Sequence, residues 1–408
     1  MKLRWRDWLQ RHHSPLPPKV GVILTGGGAR AAYQVGVLRA VAAMLPEGAR
    51  NPFPVICGTS AGAINAASLA VSARTFHEGV RQLVGVWENF HVNQVYRSDP
   101  LGVLYNSVRL LASLAFNRHG AISLLDDSPL TKLLVHRLPF RGIQKSIKSG
   151  DLHALGITAW GYTSAQSVTF YQGVKDITPW DRARRVGIST NIGVEHLVAS
   201  SAIPFLFPAM RINREYFGDG SMRQLAPISP ALHLGAEKIL VIGVHDTLDV
   251  RPDRVKIASY PPMAQIAGHV MNSIFLDSLD VDLERLQRIN KIIKLIPRQT
   301  LENNSMQLRQ IETMIISPSE AINKIAEQYA HTLPRTMRLA YRAIGAMGRD
   351  GSTLLSYLLF EKPFCQALIK LGYQDTISRK NEILQFIGAD AEVSVDAGHS
   401  ESSRLSHQ

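Results

Sequence analysis

The chain has 408 residues, 45% of them hydrophobic and 19% charged, with a net charge of +12. That balance is that of an ordinary globular protein, one large domain or a domain with an extension, and excludes a fibrous or low-complexity chain. With only Cys57 and Cys365 it also excludes a disulfide framework, and no Cys/His cluster has zinc spacing.

Taken in order, residues 1–18 form a flexible basic arm. Trp5, Trp8 and Leu9 lie among Arg4, Arg6 and Arg11, suited either to a membrane interface or to a poorly ordered terminus. The arm lacks the apolar core of a secretory signal, and no run in the chain is long enough for a membrane-spanning helix. Lys19 to Thr25 is a short apolar strand, followed by Gly26-Gly27-Gly28 and a helical pattern from Tyr33 to Leu45, with Val37, Leu38, Val41 and Leu45 on one face. Pro54-Val55-Ile56-Cys57 is a second strand, and an Ala-rich helix follows Ser60. This β–α–β–α opening, with glycine turns at both strand ends, predicts a three-layer α/β/α fold with a mainly parallel sheet.

Residues 76–150 form a mainly helical insert. Its stripe of Leu101, Leu104, Val108, Leu111 and Ala115 fits a core face or a cover over an apolar pocket. Strands resume at Ala154 to Thr158 and Ser167 to Tyr171. Ile188 to Ser200 has a helical pattern, Tyr216 to Ser221 a turn, and Leu232 to Leu234 closes a short helix. Lys238 to Val244 is a fully apolar, buried strand. Residues 250–387 carry long amphipathic helices, with Leu276, Leu279, Leu283, Leu286 and Ile293 on one face and Arg335, Arg338 and Arg342 on another. Leu354 to Leu371 is apolar and broken by Pro363. The division is therefore an arm (1–18), an α/β domain with its helical insert (19–249), a helical extension (250–387) and a disordered tail (388–408).

The chemistry centres on Gly58-Thr59-Ser60-Ala61-Gly62. A strand, a sharp turn and a helix around G-x-S-x-G form a nucleophile elbow: Gly58 and Gly62 let strand and helix approach, and Ser60 is pushed out at the apex. A serine hydroxyl also needs a base and preorganised donors for the oxyanion. Gly26-Gly27-Gly28, between a strand and a helix, supplies backbone N–H groups that a substrate can approach closely. Gly26-x-Gly28-x-x-Ala31 also approximates a dinucleotide fingerprint, but the next strand ends in Cys57-Gly58-Thr59-Ser60 rather than in the required acidic residue. For the base, composition leaves a histidine triad open through His245 or His269, although no acid–histidine pair stands at the usual sites. Asp219 is the better candidate. It sits in a Gly218-Asp219-Gly220 turn, from which a partly desolvated carboxylate can take the serine proton; the same dipeptide also makes an ordinary β-turn.

Gly26-Gly27-Gly28-Ala29-Arg30, Gly58-Thr59-Ser60-Ala61-Gly62, Ala199-Ser200-Ser201-Ala202-Ile203-Pro204 and Asp219-Gly220-Ser221 stand in the order found in the patatin-like phospholipase family, with Gly28 placed 32 residues before Ser60. Over roughly residues 20–245 the chain resembles that family. The resemblance implies a Ser–Asp dyad without histidine, on an α/β fold distinct from the common hydrolases and acting on acyl esters of lipids. It makes Ser60 the nucleophile, Asp219 the proton acceptor, and Gly26, Gly27, Gly28, Ala29 and Arg30 the oxyanion loop. Two positions depart from the pattern: Ala31 stands where a glycine is frequent, and Ser221 where Gly or Ala often follows Asp-Gly. The helices beyond 250 resemble extensions on some bacterial members. No cofactor and no metal is implied, since the glycine loop supplies the charge stabilisation. Arg30 would hold a phosphate or pair with a carboxylate. An acyltransferase using the same dyad and a non-catalytic membrane scaffold on the same fold are the alternatives. The expected partner is a lipid or phospholipid, met at a peripheral membrane surface to which the basic charge is attracted; no nucleic-acid module is present. Two lone cysteines and no signal suit a cytoplasmic protein, working at the inner face of a membrane.

Overall fold

The computed structural model describes residues 18–97, 123–245, 260–275, 277–297 and 308–389. Two strand–turn–helix units open the fold. Strand β1 (Val20–Leu24) leads through the glycine loop and a 3-10 turn (Gly28–Ala31) into α1 (Ala32–Met44). Strand β2 (Val55–Thr59) passes through Ser60 into α2 (Ala61–Val71). Helices α3 (Phe76–Trp87), α4 (Ser128–Arg137) and α5 (Arg141–Lys148) follow, then β3 (Ala154–Gly161), β4 (Ser167–Gly173), β5 (Trp180–Arg182) and β6 (Arg185–Ser189). Helix α6 (Val194–Ser200), β7 (Met210–Ile212), β8 (Glu215–Asp219), α7 (Ser229–His233) and β9 (Lys238–Ile242) complete the first 245 residues. Beyond them lie α8 (Met263–Phe275), α9 (Asp277–Leu295), β10 (Glu312–Ile316), α10 (Ile322–Tyr329), α11 (Arg335–Ala343), α12 (Ser352–Leu358), α13 (Lys362–Ser378) and α14 (Lys380–Ile387).

Among the described residues ten strands form one sheet, in the order β10-β9-β1-β2-β3-β4-β6-β5, with β8 joined to β3 and β7 to β8. The run from β10 to β3 is parallel. β4 and β8 both pair antiparallel with β3. Strand side chains alternate between faces, and the sequence exploits this period. Val22, Leu24, Ile56, Leu240 and Ile242 pack under α1, α2 and α13, while Ile23, Val55, Cys57, Ile239 and Val241 face α7 and α9. The result is the expected three-layer, mainly parallel α/β fold, with a helical C-terminal region laid against it.

That region is bound tightly. α13 crosses α1 at a pair of glycines: a Cβ on Gly36 would collide with the Ile369 backbone, and one on Gly372 with the Tyr33 carbonyl. Close backbone contact of this kind needs both residues to lack a side chain.

Three sequence expectations change. The helical pattern from Ile188 breaks in two: Arg185–Ser189 is a strand in register with Ser167–Tyr171, and the helix occupies only Val194–Ser200. Asp219 is not in a flexible turn; it ends strand β8, opposite Ala159 of β3. The chain beyond 250 is not purely helical, because β10 extends the sheet past β9, which is not its last strand. In each case strand pairing across the sheet overrides the local pattern. The Leu101–Ala115 stripe, Leu276, the arm to residue 17 and the tail from residue 390 lie outside the described residues.

Candidate active site

Ser60 has φ 55° and ψ −131°, backbone angles sparsely populated outside glycine, and its side chain is almost wholly buried. The elbow is held from three sides. A Cβ on Gly62 would collide with the carbonyls of Leu24 and Thr25, so only glycine lets α2 press against the end of β1. The Ser60 N–H donates to Ser200 Oγ (2.9 Å), and Ser200 Oγ in turn donates to the Thr158 carbonyl (2.6 Å). One serine of α6 thus pins the elbow to β3.

Asp219 has no exposed surface. Its N–H donates to the Ala202 carbonyl (2.9 Å), and its Oδ1 accepts from the Ser221 N–H (2.9 Å). Its Oδ2 is buried with no hydrogen-bond partner of good geometry among the described residues. Burial pushes the carboxyl up to about 6, with hydrogen bonding from the Ser60 hydroxyl and Ser221 working against that rise. Ser60 and Asp219 are thus neighbours, and Asp219 Oδ2 faces no hydrogen bond of full geometry among the described residues.

Gly28 has φ +56°, and a Cβ there would strike the Tyr357 carbonyl. No other residue type fits the position. Within the glycine loop, Gly28 lines the cavity beside Ser60. Gly26 backs onto Ser221 and Phe275, Gly27 onto Val244, and Ala29 is buried. Arg30 turns towards the C-terminal helices: its Nε donates to Ser356 Oγ (2.8 Å), and its guanidinium lies 4.0 Å above the Tyr357 ring. A buried polar chain braces the loop from behind. Gln34 Nε2 donates to the Thr25 carbonyl (2.8 Å), Asn65 Nδ2 donates to Gln34 Oε1 (3.0 Å), and Trp87 Nε1 donates to Asn65 Oδ1 (2.9 Å).

From Ser60 a cavity of about 540 Å³ runs between α2, α3 and α4. Ile64, Leu83, Val86, Trp87, Leu130 and Leu134 make much of its wall, with Phe207, Tyr357 and Phe360 contributed from later in the chain. Exposed Gln82, Gly85, His136 and Arg137 also border it. The cavity admits a hydrocarbon chain whose polar end lies at Ser60 and Gly28. Ser201, next to Ser200, also lines it, and its hydroxyl is buried without a partner among the described residues.

His245 and His269 are both exposed and line none of this cavity. No group of three metal-ligating side chains occurs among the described residues. Cys57 is buried and unpaired, its thiol pushed up to about 12 by burial, which makes it an inert core residue. Sequence reasoning quoted Ser200 within a motif but gave it no task, and it passed over Tyr357 and Phe360. The available signal for the last two was only an apolar run far from the serine.

A family model described as patatin-like phospholipase matches residues 22–232. The crystal structure of VipD from Legionella pneumophila aligns at 13% identity with a TM-score of 0.35, over 90% of this chain and 67% of that one. No curated protein matches at a significant level.

Proposed function

Since the chain belongs to the patatin-like phospholipase family, a family of lipid acyl hydrolases, we propose that it cleaves phospholipid acyl esters with two residues, Ser60 as nucleophile and Asp219 as base. The subtype is that of a phospholipase A or lysophospholipase. The observation that carries this reading is the Asp219 carboxylate, buried next to Ser60 with one oxygen uncommitted. Buried polar atoms are nearly always satisfied, and an unmet carboxylate oxygen beside a serine that lines a cavity fits a group kept for a reacting proton.

Asp219 accepts the Ser60 hydroxyl proton as Oγ attacks the ester carbonyl. A base with a pKa of about 6 is ionised at neutral pH and still basic enough to assist. The tetrahedral oxyanion takes hydrogen bonds from backbone N–H groups of the glycine loop around Gly28 and of Ala61, both of which border the cavity. Asp219 returns the proton to the departing alcohol or lysolipid. Water then attacks the acyl-enzyme, again deprotonated by Asp219, and free fatty acid leaves. The acyl chain occupies the apolar cavity throughout. The working unit is residues 19–249, completed by Tyr357, Leu358 and Phe360 of the 250–387 extension. Substrate is met at a membrane surface.

The test is labelling with a fluorophosphonate probe together with fatty-acid release from phospholipid. Ser60→Ala should abolish labelling and lower hydrolysis at least about a thousandfold while leaving the fold intact. Undiminished hydrolysis by that variant overturns the assignment.

A further inference from the structure

Among the described residues, the amphipathic helix α8 leaves an exposed apolar face. Its buried side, Ala264, Gly268, Met271 and Phe275, packs inward. Its other side exposes Met263 (69%), Ile266 and Val270 (52%), and Tyr260 just before the helix is 86% exposed. These residues recur at three- and four-residue steps, so they form one strip along the helix. Large, singly scattered apolar residues need no explanation, but a continuous strip does.

The strip adjoins a basic helix. The Ala264 N–H donates to the Ile344 carbonyl (3.0 Å), and Gly345 sits against Pro262, so the start of α8 meets the end of α11. On α11, Met337 and Tyr341 are buried, and Leu339 (71% exposed) stands on the opposite side with Arg335 and Arg342. Arg335, Arg338 and Arg342 form no ion pair among the described residues. Neither α8 nor α11 contains an acidic residue; the nearest in the sequence are Asp277, two residues past the end of α8, and Asp350, seven residues past the end of α11. The far end of α8 reaches the catalytic loop: Phe275 touches Gly26 and stacks on Tyr357 (5.2 Å), and Asn272 Oδ1 accepts from the Tyr357 hydroxyl (3.0 Å).

We propose that the exposed faces of α8 and α11 dock on the surface of an anionic phospholipid bilayer, with Tyr260, Met263, Ile266, Val270 and Leu339 entering the headgroup layer and Arg335, Arg338 and Arg342 binding lipid phosphates. Charge complementarity selects this occupant. An apolar strip bordered by unpaired arginines and free of carboxylates on both helices fits anionic headgroups, whereas a protein partner would need matching acidic and apolar features at once. The proposal rests on the acyl-hydrolase reading for its choice of a lipid partner, but its test reads vesicle binding, with hydrolysis only as a control on the fold.

Full-length Ser60→Ala protein is sedimented with vesicles of phosphatidylcholine alone and of phosphatidylcholine mixed with phosphatidylglycerol. Binding should be at least about tenfold stronger to the anionic vesicles. Met263→Glu/Val270→Glu and, separately, Arg335→Glu/Arg342→Glu should each weaken it about tenfold or more. The same substitutions in the Ser60 protein should keep hydrolysis of a water-soluble short-chain ester within about twofold, which shows that the fold and the site persist. Equal binding to both vesicle types, or undiminished binding by the variants, overturns the proposal. So does a concentration-dependent dimer that Met263→Glu dissociates, which would give the face to a second copy of the chain. Persistent phospholipid hydrolysis by Ser60→Ala would instead overturn the catalytic reading and leave the vesicle result standing.

Discussion

Two buried carboxylates, Asp219 and Glu361, are treated differently. Glu361 has both oxygens engaged: Oε2 lies 3.0 Å from His91 Nδ1, and Oε1 accepts from the Val92 N–H (3.3 Å). It fastens the end of the α3 segment to the start of α13. Asp219 has one oxygen engaged and the other uncommitted. Burial is common to both acids; unmet hydrogen-bonding capacity separates them. Glu361 serves the fold, and Asp219 keeps one unmet oxygen at the fold's expense.

The comparison breaks most decisively at Asp219. Asp219→Asn keeps the shape and removes the base, so kcat for phospholipid hydrolysis should fall about a thousandfold or more. The same variant should be more stable. The folded carboxyl, raised from 3.8 to about 6, holds a proton that the unfolded chain has already lost between those pH values. Its contribution to stability therefore falls as pH rises through that window and stays lost above it. Asparagine removes this penalty, so thermal unfolding at pH 8 should show a gain on the order of 2 kcal/mol that disappears near pH 4. A variant that is inactive and less stable at pH 8 would refute this account of Asp219.

The wild-type pH profile gives the next largest effect. If ionised Asp219 is the base, kcat/KM should rise about tenfold per pH unit below about 6 and level off above it. A profile flat from pH 5 to 8 would separate the rate from this carboxylate. A smaller effect is expected at the cavity. Gly85 borders it, and a Cβ added there meets nothing within 4 Å. Gly85→Trp should fill that space and lower hydrolysis of long-chain esters about tenfold, with a much smaller loss for short-chain ones. Equal losses for both chain lengths would mean that the acyl group lies elsewhere. The smallest catalytic effect belongs to Glu361→Gln. It should cost about 1–3 kcal/mol in denaturant unfolding while kcat of the folded protein stays within a few-fold. A collapse of kcat at unchanged stability would erase the distinction between the two acids.

What the sequence made legible is what short stretches decide. Gly26–Gly28 and Gly58–Gly62 each set a local backbone path, so the loop, the elbow and Ser60 could be read directly, and with them the parallel β–α–β–α start. Asp219 was legible as a residue but not in its setting. An Asp-Gly pair has the local signature of a turn, and only pairing with Ala159 of β3 makes Asp219 the end of a strand. The strand at Arg185–Ser189 was hidden in the same way, by a helical pattern that lost to its register with β4. The cavity was least visible. Its lining is gathered from stretches as distant as Ile64, Leu130, Phe207 and Phe360, and no local rule links them. Ser200 is intermediate: its motif was noticed, but its double hydrogen bond between elbow and β3 exists only in three dimensions.

The lateness of Tyr357 and Phe360 in the chain has a consequence during synthesis. Gly28 packs under the Tyr357 carbonyl, Arg30 bonds Ser356, and the cavity beside Ser60 takes wall from Tyr357, Leu358 and Phe360. A ribosome that has translated the elbow, the glycine loop and Asp219 has made every group of the proposed site but not a finished enclosure. Closure waits on contacts spanning more than 300 residues of sequence, a high-contact-order step that comes late in folding. The nascent polypeptide thus carries Ser60 and Asp219 long before the chamber beside them is complete.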